Sequence, residues 1–235
     1  MLAVITDAII PALDEAEAVG DVVCSLPRPL VRGVWVVDNG SRDGTGDVAR
    51  AAGARVVVEP RRGYGSACLA GLRALPSDTE IVLFLDADGS DHVPCLPDLL
   101  APILDGQADL VVGCRRGAGV DDGALTRPQR VGNALASLWL RRRFGLCATD
   151  LGPFRAIRRT ALDALLMQDR DYGWTVEMQI KAARRGLAYV EVPVPYHRRR
   201  GRSKVSGTLR GTCGAAFKIL GLLAWHDLAG AWRRT

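Results

Sequence analysis

The chain has 235 residues, 48% hydrophobic and 24% charged, enough for one large or two small globular domains with a sizeable core. No apolar stretch is long enough to span a bilayer, and Met1-Leu2-Ala3-Val4-Ile5-Thr6-Asp7 meets an acid too early for a secretory signal, so a cytoplasmic protein is expected. A formal net charge of +5 favours anionic partners, and six scattered cysteines (24, 68, 95, 114, 147 and 213) without a C-x-x-C pair exclude a disulfide frame or a zinc site.

In chain order, Ala8-Ile9-Ile10-Pro11 reads as a short strand, followed by a helix carrying Ala16, Val19, Val22 and Val23 on one side. Val34 to Asp38 is a second buried strand. The turn Asn39-Gly40-Ser41-Arg42-Asp43-Gly44-Thr45 then opens a helix that Gly53 ends. Arg55 to Pro60 is a third strand, Gly65 to Leu75 a helix, Ile81 to Leu85 a fourth strand, Leu96 to Leu104 a helix and Asp109 to Gly113 a fifth strand. Strands alternating with helices across short connections predict α/β: a mainly parallel central sheet with helices on both faces. Beyond a Gly- and Asp-rich loop, Arg116 to Thr126, the pattern predicts helices at Pro128 to Arg143, Thr160 to Met167 and Thr175 to Arg185. Strands are expected at Phe154 to Ile157 and Leu187 to Tyr196, and a largely apolar helix at Thr208 to Trp225. No linker or repeat marks a boundary, so residues 1–235 are expected to form a single domain, with 1–115 as a nucleotide-binding type of sheet and 116–235 as its second half.

The chemistry concentrates where the fourth strand stops, at Asp86-Ala87-Asp88-Gly89-Ser90-Asp91. Ligands of open α/β sheets sit beyond the carboxyl ends of the strands. Two carboxylates about 4 Å apart repel by roughly 4 kcal/mol at an effective dielectric near 20, which a divalent cation reverses. A hard metal takes one or two carboxylates and fills its shell with phosphate oxygens and water. The plain alternative is a polar Asx turn. Asp38 also ends a strand, with a carboxylate able to accept from a ring N–H. Asp14 and Glu15 are explained equally well by the positive end of a helix dipole. Arg61-Arg62-Gly63-Tyr64-Gly65-Ser66 follows a strand and opens a helix, with glycines permitting close backbone approach and arginines available to an anion. As a dinucleotide fingerprint it is weak, because its third glycine is Cys68.

Taken in order, Pro11-Ala12-Leu13-Asp14-Glu15, Val37 to Thr45, Arg62-Gly63-Tyr64-Gly65, Asp86-Ala87-Asp88, Val112-Gly113-Cys114-Arg115, Arg127 through Asn133, Asp150-Leu151-Gly152-Pro153-Phe154-Arg155 and Gly201-Arg202-Ser203-Lys204 resemble one family. It is the family 2 glycosyltransferases of GT-A fold, and more narrowly the dolichyl- or polyprenyl-phosphate sugar synthase branch, over nearly the whole chain. The resemblance implies that Pro11, Leu13, Glu15 and Asp38 hold the base and ribose of a nucleotide-sugar donor, with Arg62 and Gly63 beside them. It implies that Asp86 and Asp88 approach the nucleotide and its Mg2+ or Mn2+, with Ser90 as a further metal ligand and Asp88 essential to catalysis. Asp14 stands in place of the usual Asn, Asn39 in place of a second Asp, and Gly-Pro-Phe-Arg in place of Ser-Gly-Phe-Arg, which bears on the donor base and the acceptor.

Asp150 and Glu177 are candidate bases for an acceptor hydroxyl, against plain readings as a turn-forming Asp and a surface Glu. Arg198-Arg199-Arg200-Gly201-Arg202-Ser203-Lys204 carries no acid, so an anion is expected against it. Aromatics are sparse and no groove-reading motif is present, which speaks against nucleic acid and for phosphate, gripped by Arg198, Ser203 and Lys204. Arg115, Arg127 and Arg130 are second candidates. The histidines, His92, His197 and His226, have no paired spacing, and His92 is taken as a loop residue. The Thr208 to Trp225 helix suits core packing, a homodimer or peripheral contact with the cytosolic membrane face. The expected activity is metal-dependent, inverting transfer of a hexosyl group from a UDP- or GDP-sugar to a phosphate-bearing acceptor, first of all a polyprenyl phosphate. The alternatives are a soluble phosphorylated molecule or a sugar hydroxyl as acceptor, and, further off, a sugar-1-phosphate nucleotidylyltransferase or a non-catalytic nucleotide-binding protein.

Overall fold

The computed structural model describes residues 4–116 and 119–201, together with Gly221. Ser203, Lys204 and most of the expected Thr208 to Trp225 helix lie outside the described residues. Seven strands form one sheet: β1 (Thr6–Ala12), β2 (Gly33–Asp38), β3 (Arg55–Val58), β4 (Ile81–Phe84), β5 (Leu110–Cys114), β6 (Arg155–Arg158) and β7 (Tyr189–Pro193). Their order is β3-β2-β1-β4-β6-β5-β7, and every pairing is parallel except those of β6, which runs antiparallel between β4 and β5. A strand from the second half of the chain is thus inserted between two strands of the first. The sheet has no seam at residue 115.

The continuous apolar runs of β1, β2 and β4 are explained by burial on two faces, while β3 lies at the sheet edge, half-buried to exposed. Ala8, Ile10, Val34, Val36, Ile81 and Leu83 point to one core, while Ile9, Trp35, Val37, Val82 and Phe84 alternate with them into the other. The first face is covered by α1 (Val19–Ser25), α2 (Thr45–Ala51) and α4 (Leu96–Leu104), through residues such as Val23, Ala49 and Leu99. The second is covered by α3 (Tyr64–Ala74), α6 (Arg159–Leu165) and α7 (Trp174–Arg184), through Ala67, Leu162, Trp174 and Met178. Each fully buried Val, Leu, Ile, Phe or Met side chain among them contributes about 1.5–3 kcal/mol.

A third cluster joins α5 (Arg127–Phe144) to α7 through Ala136, Leu140, Val176 and Ile180. The sequence starts α5 with a capping box: Thr126 Oγ1 accepts from Gln129 N, and the Gln129 side chain accepts from Thr126 N at 2.8 Å. Gly145 ends it at φ 68°. The chain visits β1, β2 and β3 on one side before returning to β4 on the other side of β1. The crevice between β1 and β4 is therefore the topological switch point of the sheet. Among the described residues no helix is long and apolar enough to cross a membrane.

Candidate active site

The crevice opens into a cleft of about 630 Å³ lined by the strand-end residues Pro11, Ala12, Leu13, Glu15, Asn39, Asp86, Ala87 and Asp88. Its remaining wall is built by Arg62, Gly63, Tyr64, Ala67, Asp171, Tyr172 and Arg199. The acid loop after β4 is fixed from below. Asp91 Oδ2 accepts from Asp86 N at 2.9 Å, and Asp88 Oδ1 accepts from Ser90 N at 3.0 Å and from Ser90 Oγ at 2.5 Å. Burial, and then the charge of Asp88, push the carboxyl of Asp86 up to about 7, although Arg115, Arg199 and a hydrogen bond from Tyr64 oppose the shift. Asp91 is raised as well, by burial and by Asp86. The loop holds more negative charge than its surroundings neutralise, and this donor set fits a divalent cation. Among the described residues no cluster of three or more His, Cys, Asp or Glu could hold a metal by itself, so phosphate oxygens would have to complete the shell. Ser90 is wholly buried and already donates to Asp88, which makes it the residue that aims Asp88.

The wall beside the acid loop is a set of interlocked loops. Glu15 N donates to Thr45 Oγ1 at 2.9 Å, Asp14 N to Ser41 Oγ at 2.9 Å, and Arg42 N to Asp14 Oδ1 at 2.8 Å, joining the loop after β1 to the loop after β2. Asp38 does not line the cleft; its Oδ1 accepts from Ser41 N at 2.8 Å, so the carboxylate shapes the turn behind the wall. Asn39 does line it, and its amide explains the departure from Asp: Nδ2 donates to the carbonyls of Glu59 and Arg61 while Oδ1 accepts from Gly63 N. A carboxylate could not make the first two bonds.

The two glycines after β3 admit the protein's own chain, where an anion was anticipated. A Cβ on Gly63, at φ +134°, would lie 2.1 Å from the carbonyl oxygen of Arg170, and one on Gly65 2.1 Å from that of Asp169. Ser66 N and Gly65 N donate to the carbonyls of Arg170 and Asp171, so the start of α3 is capped by backbone. This contact brings Asp171 and Tyr172 onto the cleft. Neither had a signal in the sequence, since the partners are about a hundred residues apart.

The basic segment lies on the acid loop. His197 N donates to Ser90 O and Arg200 N to Asp88 O, both at 2.9 Å, and the three arginine side chains leave this segment in different directions. Arg198 points to the outer loop, with N on Asp121 Oδ2 and Nε on Asp122 O, and Arg200 pairs with Asp21. Arg199 alone of the three enters the cleft. His92 Nδ1 and His197 Nε2 meet at 2.9 Å, a pairing across 105 residues that spacing could not reveal.

Neither expected base is placed to take a proton from a substrate. Asp150 is buried and doubly gripped: Arg115 N and Nε donate to Oδ2 at 2.7 and 2.9 Å, and Arg115 Nη2 to Oδ1 at 2.8 Å. Burial alone would raise its pKa, but these bonds hold it below the ordinary carboxylate value. The same contacts remove Arg115 from the candidates for substrate phosphate. Glu177 accepts from Gln168 N and Asp169 N at 3.0 and 2.8 Å and pairs with Lys181 at 2.7 Å, so it ties down the loop that carries Asp171. Arg127 and Arg130, exposed on the first turn of α5, do not line the cleft. Asp171 does, and no hydrogen bond to its carboxylate is found among the described residues.

A crevice at the switch point of a mainly parallel sheet, floored by the crowded acids Asp86 and Asp88, defines an enzyme that handles a nucleotide diphosphate. Residues 7–166 match the family described as Glycosyl transferase family 2, and the chain belongs to it. An uncharacterized glycosyltransferase of Mycobacterium tuberculosis (strain ATCC 25618 / H37Rv) is 44% identical over 207 residues, 87% of this chain and 91% of that one. An undecaprenyl-phosphate mannosyltransferase of Micrococcus luteus is 35% identical over 241 residues, 94% of this chain and 96% of that one. The crystal structure of glucosyl-3-phosphoglycerate synthase from Mycobacterium tuberculosis in complex with Mn2+, UDP-glucose and phosphoglyceric acid superposes with a TM-score of 0.77 at 26% identity. It covers 95% of this chain and 79% of that one. The protein is a family 2 glycosyltransferase of GT-A fold.

Proposed function

We propose that the enzyme transfers a hexosyl group, with inversion, from a UDP- or GDP-sugar to the phosphate of a phosphorylated acceptor, first of all a polyprenyl phosphate. Asp86 and Asp88 hold Mg2+ or Mn2+ on the donor diphosphate, and Pro11, Leu13, Glu15, Arg62 and Gly63 flank the nucleoside, with Asp38 behind them. When bound, the cation offsets the charge that grows on the departing diphosphate. The observation that carries the acceptor is the basic segment laid by backbone hydrogen bonds on the acid loop, leading into Ser203 and Lys204. A phosphate monoester is largely dianionic at neutral pH, so it needs cationic grip and no base. The Micrococcus luteus relative is named for a lipid-linked phosphate and the superposed synthase holds phosphoglyceric acid, so phosphate is common to a lipid and a soluble acceptor.

A second reading is transfer to a hydroxyl, with Asp171 as the base, because its carboxylate lies on the cleft wall. One assay separates these. UDP- and GDP-sugars are offered with undecaprenyl phosphate, a short-chain prenyl phosphate, 3-phosphoglycerate and a neutral sugar, with divalent metal or chelator. Metal-dependent transfer to a phosphate bearer, weakened by Lys204→Ala, is expected. Transfer to the neutral hydroxyl alone, abolished by Asp171→Asn and indifferent to Lys204→Ala, would establish the second reading.

A further inference from the structure

Asp88 has two carboxylate oxygens, and the protein engages both. Oδ1 is taken by Ser90 N and Oγ; Oδ2 faces Arg199 Nη1 at 3.4 Å. Arg199 Nη2 donates at the same time to Glu15 Oε1 at 2.5 Å, so one guanidinium bridges the acid after β4 and the wall after β1 across the cleft. Its remaining nitrogen, Nε, is buried without a hydrogen-bond partner among the described residues. A buried, unpaired guanidinium N–H is costly, and its presence at a ligand cleft points to a partner that arrives with the ligand. The fork geometry of guanidinium matches two phosphate oxygens as well as it matches a carboxylate.

We propose that Arg199 is a placeholder cation of the donor site: it neutralises Asp88 before the donor binds, cedes Oδ2 to the entering divalent cation, and then turns its fork to the donor diphosphate while Glu15 keeps hold of the other end. The metal and the guanidinium compete for one oxygen, because Ser90 has already claimed the other. The surrender moves charge, and no covalent bond changes. Arg199 also sits between His197 and Arg200, whose backbone nitrogens are anchored to the acid loop. The exchange therefore takes place without displacing the segment that leads to Ser203 and Lys204. The diphosphate half of this proposal rests on the nucleotide-sugar reading above; the competition for Asp88 does not.

The test measures Mn2+ binding to the nucleotide-free full chain by the paramagnetic resonance of free Mn2+, and UDP binding at saturating Mn2+ by calorimetry. Arg199→Gln should bind Mn2+ alone about three- to tenfold more tightly, since a repelling charge and a competitor for Oδ2 are gone. The same variant should bind UDP about tenfold more weakly or worse, having lost charge-assisted bonds to phosphate. Opposite shifts in one variant are not produced by mere loosening, which weakens both. Arg199→Lys, which keeps charge without the fork, should hold Mn2+ affinity near wild type and still bind UDP weakly. Arg200→Gln removes the same charge on the outer side and should leave both affinities unchanged. Mn2+ affinity that is unchanged or lowered in Arg199→Gln, or UDP affinity equal to wild type, overturns the proposal. Failure of the wild-type chain to bind UDP or GDP counts against the donor reading, and with it the diphosphate role, while the Mn2+ comparison still decides the competition.

Discussion

Two buried acid sites lie at the same end of the sheet and are built on opposite principles. At the end of β5, Asp150 has met its counter-charge: Arg115 supplies three hydrogen bonds and a full positive charge, and the carboxyl is held below its ordinary pKa. At the end of β4, Asp86, Asp88 and Asp91 crowd together, and the carboxyl of Asp86 is raised to about 7. Arg199 reaches that cluster only at 3.4 Å and shares itself with Glu15. A satisfied carboxylate is part of the scaffold, whereas an unsatisfied one is stored demand for a cation. Aspartate alone, read along the chain, does not tell which kind it is.

The difference is broken most sharply by neutralising one member of each site. Asp88→Asn should lower sugar transfer by about 10²–10³-fold or more, because charge stabilisation at the departing diphosphate is lost. Its stability should stay within about 1 kcal/mol of wild type, since a like-charge repulsion leaves with the acid. Asp150→Asn should do the reverse, costing about 3 kcal/mol or more of stability by leaving the Arg115 guanidinium buried without its counter-charge. Urea unfolding and initial rates on the two variants check both halves. An Asp150→Asn protein as stable as wild type would mean that the pair is not structural.

Acid and base sort the two sites further, in metal-free protein with chelator present. Asp86 has a folded-state pKa above its unfolded 3.8, so the folded state keeps the extra proton, and stability from this group declines as pH rises through about 7. Asp86→Asn should therefore gain on wild type in melting temperature from pH 4 to pH 8. Asp150 has a lowered folded-state pKa, so its contribution is present above 3.8 and is lost as pH falls through the folded value. The deficit of Asp150→Asn should accordingly shrink under acid. Parallel pH curves for the two variants would contradict the contrast.

Much of the frame was legible. Uninterrupted apolar strands predicted a sheet covered on both faces, and Asp86, Asp88, Pro11 to Leu13, Glu15 and the Arg62-Gly63 turn do converge on one cleft, whereas Asp38 stays behind its wall. What escaped depends on partners distant in the chain. Gly63 and Gly65 announce a close approach, but nothing local says that Asp169 and Arg170 are what approaches. Three consecutive arginines look alike until the backbone is seen anchored to the acid loop at His197 and Arg200, and then only the middle one lines the cleft. Asp150 and Glu177 carry the residue type of a catalytic base, and burial beside Arg115 and Lys181 gives them different work.

Glu177 offers the smallest and most discriminating expectation, because it resembles the satisfied site in its bonding and the functional site in its neighbourhood. Its carboxylate accepts from two backbone N–H groups of the loop at 168–169 and pairs with Lys181. Two to three residues further on, that loop presents Asp171 and Tyr172 to the cleft. In Glu177→Gln the amide oxygen can keep one backbone bond, while its NH2 group faces the Lys181 ammonium, so the loop should loosen at a cost of about 1–2 kcal/mol. The kinetic consequence belongs to donor binding: KM for the nucleotide sugar should rise a few-fold, with kcat nearly unchanged and the pH profile of kcat unmoved. If Glu177 instead took a proton from the acceptor, kcat would fall by about 10²–10⁴-fold at constant KM. A KM-against-kcat split in this one variant thus decides whether the acid at the start of α7 shapes the cleft or reacts in it.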